Sequence, residues 1–229
     1  MTETRKPTLS LLDVATAVVV AAIAILAVWI AVRGPTGPIP VHFNVSGQPD
    51  RYGDRNEVAA LMSVMALLAA ITAGGMGWGV RTATDAARRR GLALGQGLSL
   101  FAIGGVTVFM ALTMLASAQG TPAPSLSWMP LGLSVILVVI GAGLGRVAPN
   151  PVIGVRTPWT FKSRLSWDRS NRLAGRLFFW LGLAGLAASL FLPGGWALTG
   201  LGVAILIAAA WCVVESWRVW RLDPDRQPF

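Results

Sequence analysis

Apolar runs of membrane length, separated by polar segments, recur along the chain at roughly residues 11–32, 57–80, 93–117, 127–147, 172–192 and 195–216. A bilayer core takes about 20 mostly apolar residues of α-helix, so the pattern predicts six transmembrane helices. The last run, LTGLGVAILIAAAWCVV, is the clearest, and Pro193-Gly194-Gly195 predicts a tight hairpin between it and the run before. The first run is longer than a signal-peptide core and lacks a small-x-small exit, so it reads as a retained span. Two of the polar interruptions are long: residues 33–56 and 150–176.

Composition agrees with the pattern. The chain is 54% hydrophobic and 13% charged, with a mean hydropathy of +0.63, whereas soluble domains carry about 25% charged residues. A net charge of +9 suggests a nucleic-acid binder until the charges are located. Alternating spans put sixteen of the nineteen Lys and Arg on the side of both termini, and only Arg33, Arg51 and Arg55 on the other. The positive-inside rule then predicts cytoplasmic termini and makes the basicity topological, with no direct nucleic-acid partner. Trp29, Trp78, Trp128, Trp196, Trp217 and Trp220 fall near span ends, as an interfacial belt requires. Gly75/Gly79, Gly91/Gly95 and Gly141/Gly145 have the spacing that lets helices approach closely, within the bundle or across a dimer seam. No charged residue falls near a predicted midplane, which argues against an ion-coupled transporter. The single cysteine, Cys212, excludes an intramolecular disulfide.

The outer loop, RGPTGPIPVHFNVSGQPDRYGDRN, is too rich in Pro and Gly for a long helix. Residues 38–43 suit a short extended segment, and Ser46-Gly-Gln-Pro-Asp and Tyr52-Gly-Asp suit turns. His42, the only histidine, with Asn44, Asp50 and Asp54, offers a weak metal or small-ligand site through His42 and the carboxylates. The alternative is a compact cap in which Asp50 and Asp54 satisfy turns and pair with Arg51 or Arg55.

The inner loop, NPVIGVRTPWTFKSRLSWDRSNRLAGR, sets six basic residues against Asp168. Pro149 and Pro151 around Asn150 constrain the exit from the fourth span. Thr157-Pro158-Trp159-Thr160 predicts a rigid turn carrying an indole, and Arg156 before it is placed to fork onto a carbonyl or carboxylate. From about Ser163 a helix leads into the fifth span, with Trp167, Asn171 and Ala174 on one face.

The run Asn150-Pro-x-x-Gly154-x-Arg156-Thr157-Pro158-Trp159-Thr160, with Trp167 and Asn171-Arg172-x-x-Gly175-Arg176, resembles the signature loop of the SdpI family of bacterial multi-pass membrane proteins. Ile39-Pro-Val-His42-Phe-Asn44-x-x-Gly47-x-Pro49-Asp50 resembles the family's N-terminal domain of unknown function. The resemblance implies a six-span protein of the bacterial cytoplasmic membrane that confers immunity to a secreted toxin or antimicrobial peptide. It also implies that the protein docks a cytoplasmic regulator. The outer residues His42, Asn44, Gly47, Pro49, Asp50 and Asp54 would then sense a ligand. Asn150, Gly154, Arg156, Thr157, Pro158, Trp159, Thr160, Trp167, Asn171, Arg172 and Gly175 would form the inner relay or docking face. Arg164-Leu-Ser166 and Asn171 depart from the acidic residues and the histidine that many relatives carry there, which points to a different regulator or none.

The expected architecture is therefore an all-α membrane bundle, with a two-span unit at residues 1–80 and a four-span unit at 81–229 around the signature loop 148–176. No cofactor is expected. Three functions compete. The first is non-catalytic immunity or signalling. The second is lipid binding or modification at the inner interface through Arg156, Lys162, Arg164 and Arg169. The third is transport. Against catalysis, the inner loop has no His or Cys, and Asp168 among arginines is a poor general base.

Overall fold

The computed structural model describes residues 9–44, 49–118 and 128–228. Helix α1, Leu11–Arg33, starts in a reciprocal cap: the Asp13 amide donates to Ser10 Oγ at 3.1 Å and the Ser10 amide to Asp13 Oδ2 at 3.0 Å. A two-stranded antiparallel hairpin follows, β1 (Ile39–Phe43) and β2 (Pro49–Gly53). The second apolar segment is α2 (Arg55–Ala69), a π-helical turn (Ala70–Gly74) and α3 (Gly75–Thr82). Next come α4 (Ala86–Ala118), α5 (Trp128–Leu144), one helical turn α6 (Pro158–Phe161), α7 (Arg164–Phe191) and α8 (Gly194–Leu222).

Among the described residues five helical segments are long and apolar enough to cross a membrane, and α5 is an apolar helix described over 17 residues. The molecule is an all-α, multi-pass membrane bundle. The expected fourth span, 127–147, ends earlier than read, since α5 stops at Leu144. The helix expected from about Ser163 is α7, which begins at Arg164 and runs on through the fifth span; Ser163 caps it by accepting the Ser166 amide at 2.9 Å. The last hairpin turns on Leu192 and Pro193, with Gly194 and Gly195 already inside α8.

Large apolar side chains such as Val28, Ile71, Leu206 and Ile207 point outward, the arrangement a lipid solvent selects. Inward, Ile30, Ile39, Val58 and Met62 form a core that joins the hairpin's Ile39 to α1 and α2. Tyr52 and Gly53, expected in a turn, end β2 instead, and Asp54 caps α2 by accepting the Glu57 amide at 2.8 Å. Arg51 pairs with Glu57 at 2.5 Å rather than with either expected aspartate.

Helices α5 and α7 meet through glycine. A Cβ added at Gly141 would stand 2.4 Å from the Phe179 amide nitrogen, and one at Gly175 2.8 Å from the Gly141 carbonyl. Of the other spaced glycines, Gly91 abuts Ala148, Gly95 abuts Met76 and Gly145 abuts Arg172, whereas Gly75 has open space around it. Packing within the bundle accounts for most of them.

The spans also hold a polar knot that charge counting overlooks. Gln96, fully buried in α4, donates through Nε2 to Thr16 Oγ1 (3.0 Å) and Asp13 Oδ1 (3.2 Å), and Arg81 lies 3.5 Å from Asp13. This ties the first turn of α1 and the last turn of α3 to α4, while the buried Gln96 Oε1 is left without a protein partner among the described residues. Ahead of α4, Asp85 accepts the Arg88 amide at 2.7 Å, and that bond holds its carboxyl below the usual carboxylate range.

Gly141→Ala should lower the thermal unfolding midpoint of the detergent-solubilised protein, by an overpacking cost of ~1–3 kcal/mol. Gly97→Ala, with open space at its Cβ, should leave the midpoint unchanged or raise it.

Candidate functional site

The signature loop is built by short-range hydrogen bonds and then tied to three helices. As the chain leaves α5, the Asn150 side chain closes the loop on itself. Its Oδ1 accepts the amides of Val152 and Ile153, both at 2.8 Å, and its Nδ2 donates to the carbonyls of Ala148 (2.8 Å) and Ile153 (3.1 Å). Asparagine supplies two acceptor sites and two donors from one side chain, and all are used here. Gly154 follows with φ of +118°, a conformation that side chains disfavour. Space imposes the same choice, since a Cβ there would lie 2.5 Å from Asn171 Oδ1.

Asn171 is fully buried on α7. It accepts the Val155 amide through Oδ1 at 2.8 Å and donates through Nδ2 to the Trp167 carbonyl at 2.9 Å. One turn earlier Trp167, also fully buried, donates its indole N–H to the Val147 carbonyl at 3.0 Å. Two side chains on one helix face thus hold both ends of the segment 147–155.

Thr157-Pro158-Trp159-Thr160 is not a simple turn but the start of α6. Thr157 and Thr160 exchange amide-to-hydroxyl bonds of 3.0 and 3.2 Å, and Pro158 occupies the first helical turn, where its missing N–H costs nothing. Thr157 Oγ1 also lies 2.9 Å from Ser216 Oγ of α8, and Ser166 Oγ donates to the Ser216 carbonyl at 2.7 Å. The C-terminal segment closes the arrangement. Ser163 donates to the buried Asp223 at 2.5 Å, and the Gln227 amide donates to the Lys162 carbonyl at 2.8 Å.

Of the expected inner residues, Asn150, Thr157, Thr160, Trp167, Asn171 and Gly175 are buried and Gly154 is half-buried, so a docking partner reaches few of them. Arg156, Pro158 and Arg172 are exposed and Trp159 is half-buried. The Arg156 guanidinium donates to the Pro151 carbonyl, one of the two kinds of partner expected for it. Val147, Ser216 and Asp223 complete the knot and were not singled out in the sequence, and Ser163 was marked only as the start of a helix. The Ser163 cap was visible as a local signal, but nothing local marks the long-range contacts.

On the hairpin, His42 Nδ1 lies 2.6 Å from Asp50 Oδ1, and both side chains are largely exposed. Phe43 pairs with Pro49 in the strand register, and Asn44 follows directly. Asp54 is committed to the α2 cap, and Gly47 lies outside the described residues. Among the described residues no group of three His, Cys, Asp or Glu converges on one point.

The SdpI/YfhL protein family matches residues 146–215, and a domain of unknown function, DUF1648, matches residues 18–67. The immunity protein SdpI of Bacillus subtilis (strain 168) is 28% identical over 91 residues, which cover 40% of this chain and 44% of that protein. The likeness therefore spans less than half of either chain. No solved structure matches.

Trp167→Phe should orphan the buried Val147 carbonyl and cost ~1–3 kcal/mol. The expected readouts are a lower unfolding midpoint and faster tryptic cleavage after Lys162. Unchanged cleavage would show that the indole bond does not hold the loop.

Proposed function

We propose that this chain, which carries the SdpI/YfhL family region beside the DUF1648 region, is a non-catalytic membrane immunity protein against a secreted toxin or antimicrobial peptide. The observation that supports this reading most directly is how the two motif-rich segments are built. The inner signature is a closed, buried hydrogen-bond knot with no open constellation of acid, base and nucleophile. The hairpin, by contrast, presents the exposed His42–Asp50 pair. A relative whose matched segment overlaps this chain bears the name of an immunity protein.

In this reading both termini and the signature loop face the cytoplasm of a bacterial cell, and the hairpin faces outward, as the distribution of Lys and Arg requires. The two-span unit 1–80 carries the sensing surface around His42, Asn44, Gly47, Pro49, Asp50 and Asp54. The four-span unit 81–229 carries the signature loop. A cytoplasmic regulator would meet Arg156, Pro158 and Trp159, because their neighbours in the motif are enclosed. The buried residues keep that surface in shape.

The test is survival of sensitive bacteria expressing the chain during challenge with a panel of secreted antimicrobial peptides. Protection by the wild type, lost in His42→Ala/Asp50→Ala at equal membrane abundance, is the expected result. Trp159→Ala should leave protection intact if that surface serves only a regulator. No protection across the panel would overturn the immunity reading.

A further inference from the structure

At the loop end of the bundle a groove of about 870 Å³ opens between α5 and α7. Arg169, Arg172, Arg176 and Trp180 line it from α7, Arg146 from the end of α5 and Glu215 from α8. The four α7 residues follow a spacing of three, four and four, so they form one stripe on one helix face. The ion pairs among the described residues involve none of the four arginines. Glu215 does not neutralise them, because Arg218 engages both its oxygens at 2.8 and 3.0 Å. Arg172 donates through Nε only to the Asp168 carbonyl, at 3.0 Å.

Depth separates this group from an ordinary positive-inside fringe. Gly145, just past the end of α5, packs on Arg172, and Gly141, one turn inside α5, packs on Gly175. Arg176 therefore stands beside the last turn of α5, deeper than the loop residues that follow that helix. Cations at that depth are costly without a compensating anion. Below them Trp180, largely exposed and edge-on to Phe179 with centroids 5.6 Å apart, presents an apolar wall to the acyl region.

We propose that this groove binds the phosphodiester of an anionic phospholipid, with Arg146, Arg169, Arg172 and Arg176 around the phosphate and Trp180 beside the acyl chains. Guanidinium forks suit phosphate oxygens. The site is separate from the His42–Asp50 surface and does not depend on the immunity reading.

The test is native mass spectrometry of the full chain in neutral detergent, titrated with dioleoyl phosphatidylglycerol, dioleoyl phosphatidylcholine or inorganic phosphate. The anionic lipid should bind at least about tenfold more tightly than the zwitterionic one. That preference should disappear in Arg172→Gln/Arg176→Gln, survive in part in Arg172→Lys/Arg176→Lys, and persist in Arg88→Gln/Arg90→Gln. If the glutamine pair does not fold, Arg169→Gln on the exposed rim should show a smaller loss of preference. Equal loss in the Arg88/Arg90 control would reduce the effect to general surface charge and overturn the proposal. So would the absence of any preference, or displacement of the lipid by inorganic phosphate.

Discussion

The indole of Trp167 donating to the carbonyl of Val147 is the bond on which the loop side of the molecule depends. It joins the end of α5 to the start of α7 in a place closed to water, where an unpaired carbonyl has no substitute partner. The bond forms only because the two helices approach backbone to backbone at Gly141 and Gly175. That approach brings Asn171 under Val155 and leaves room for the left-handed Gly154. The Thr157 and Ser166 hydroxyls then find Ser216, and α8 joins the pair. In a membrane, where apolar burial between helices supplies little drive, such close backbone contact and shared hydrogen bonds are the terms that remain.

Much of this was legible in the sequence, for identifiable reasons. Span composition is a solvent requirement that every residue of a run repeats, so helices α1, α4 and α8 were plain. The extended segment before His42 and the helix after Ser163 follow from local signals, a Pro-rich stretch and a serine cap. Interactions that need distant partners could not be read: Ser163 with Asp223, Thr157 with Ser216, Lys162 with Gln227. Gln96 was overlooked for a different reason. It carries no charge and sits among apolar neighbours, yet it gathers Asp13 and Thr16 from eighty residues away.

The early end of α5 was obscured because Gly145, Val147 and Ala148 continue an apolar pattern past the last helical turn. Hydropathy marks what lipid accepts, whereas helix termination is decided by where backbone carbonyls find other donors. Here the Arg146 and Val147 amides turn back onto Gly143 and Leu144. On the hairpin, Asp54 bonds a neighbouring amide as the compact-cap reading had it, but the amide is that of Glu57, in the first turn of a helix.

The enclosure of the signature residues also bears on how such a protein diversifies. Gly154, Trp167 and Asn171 touch one another and Asn150 closes the loop beside them, so a change at one disturbs the fit of its neighbours. Arg156 and Pro158 sit exposed on the outside of the same knot, with Trp159 half-buried beside them. A lineage can therefore hold the frame constant while altering the exposed edge, acquiring a new cytoplasmic listener or losing an old one without redesigning the membrane bundle.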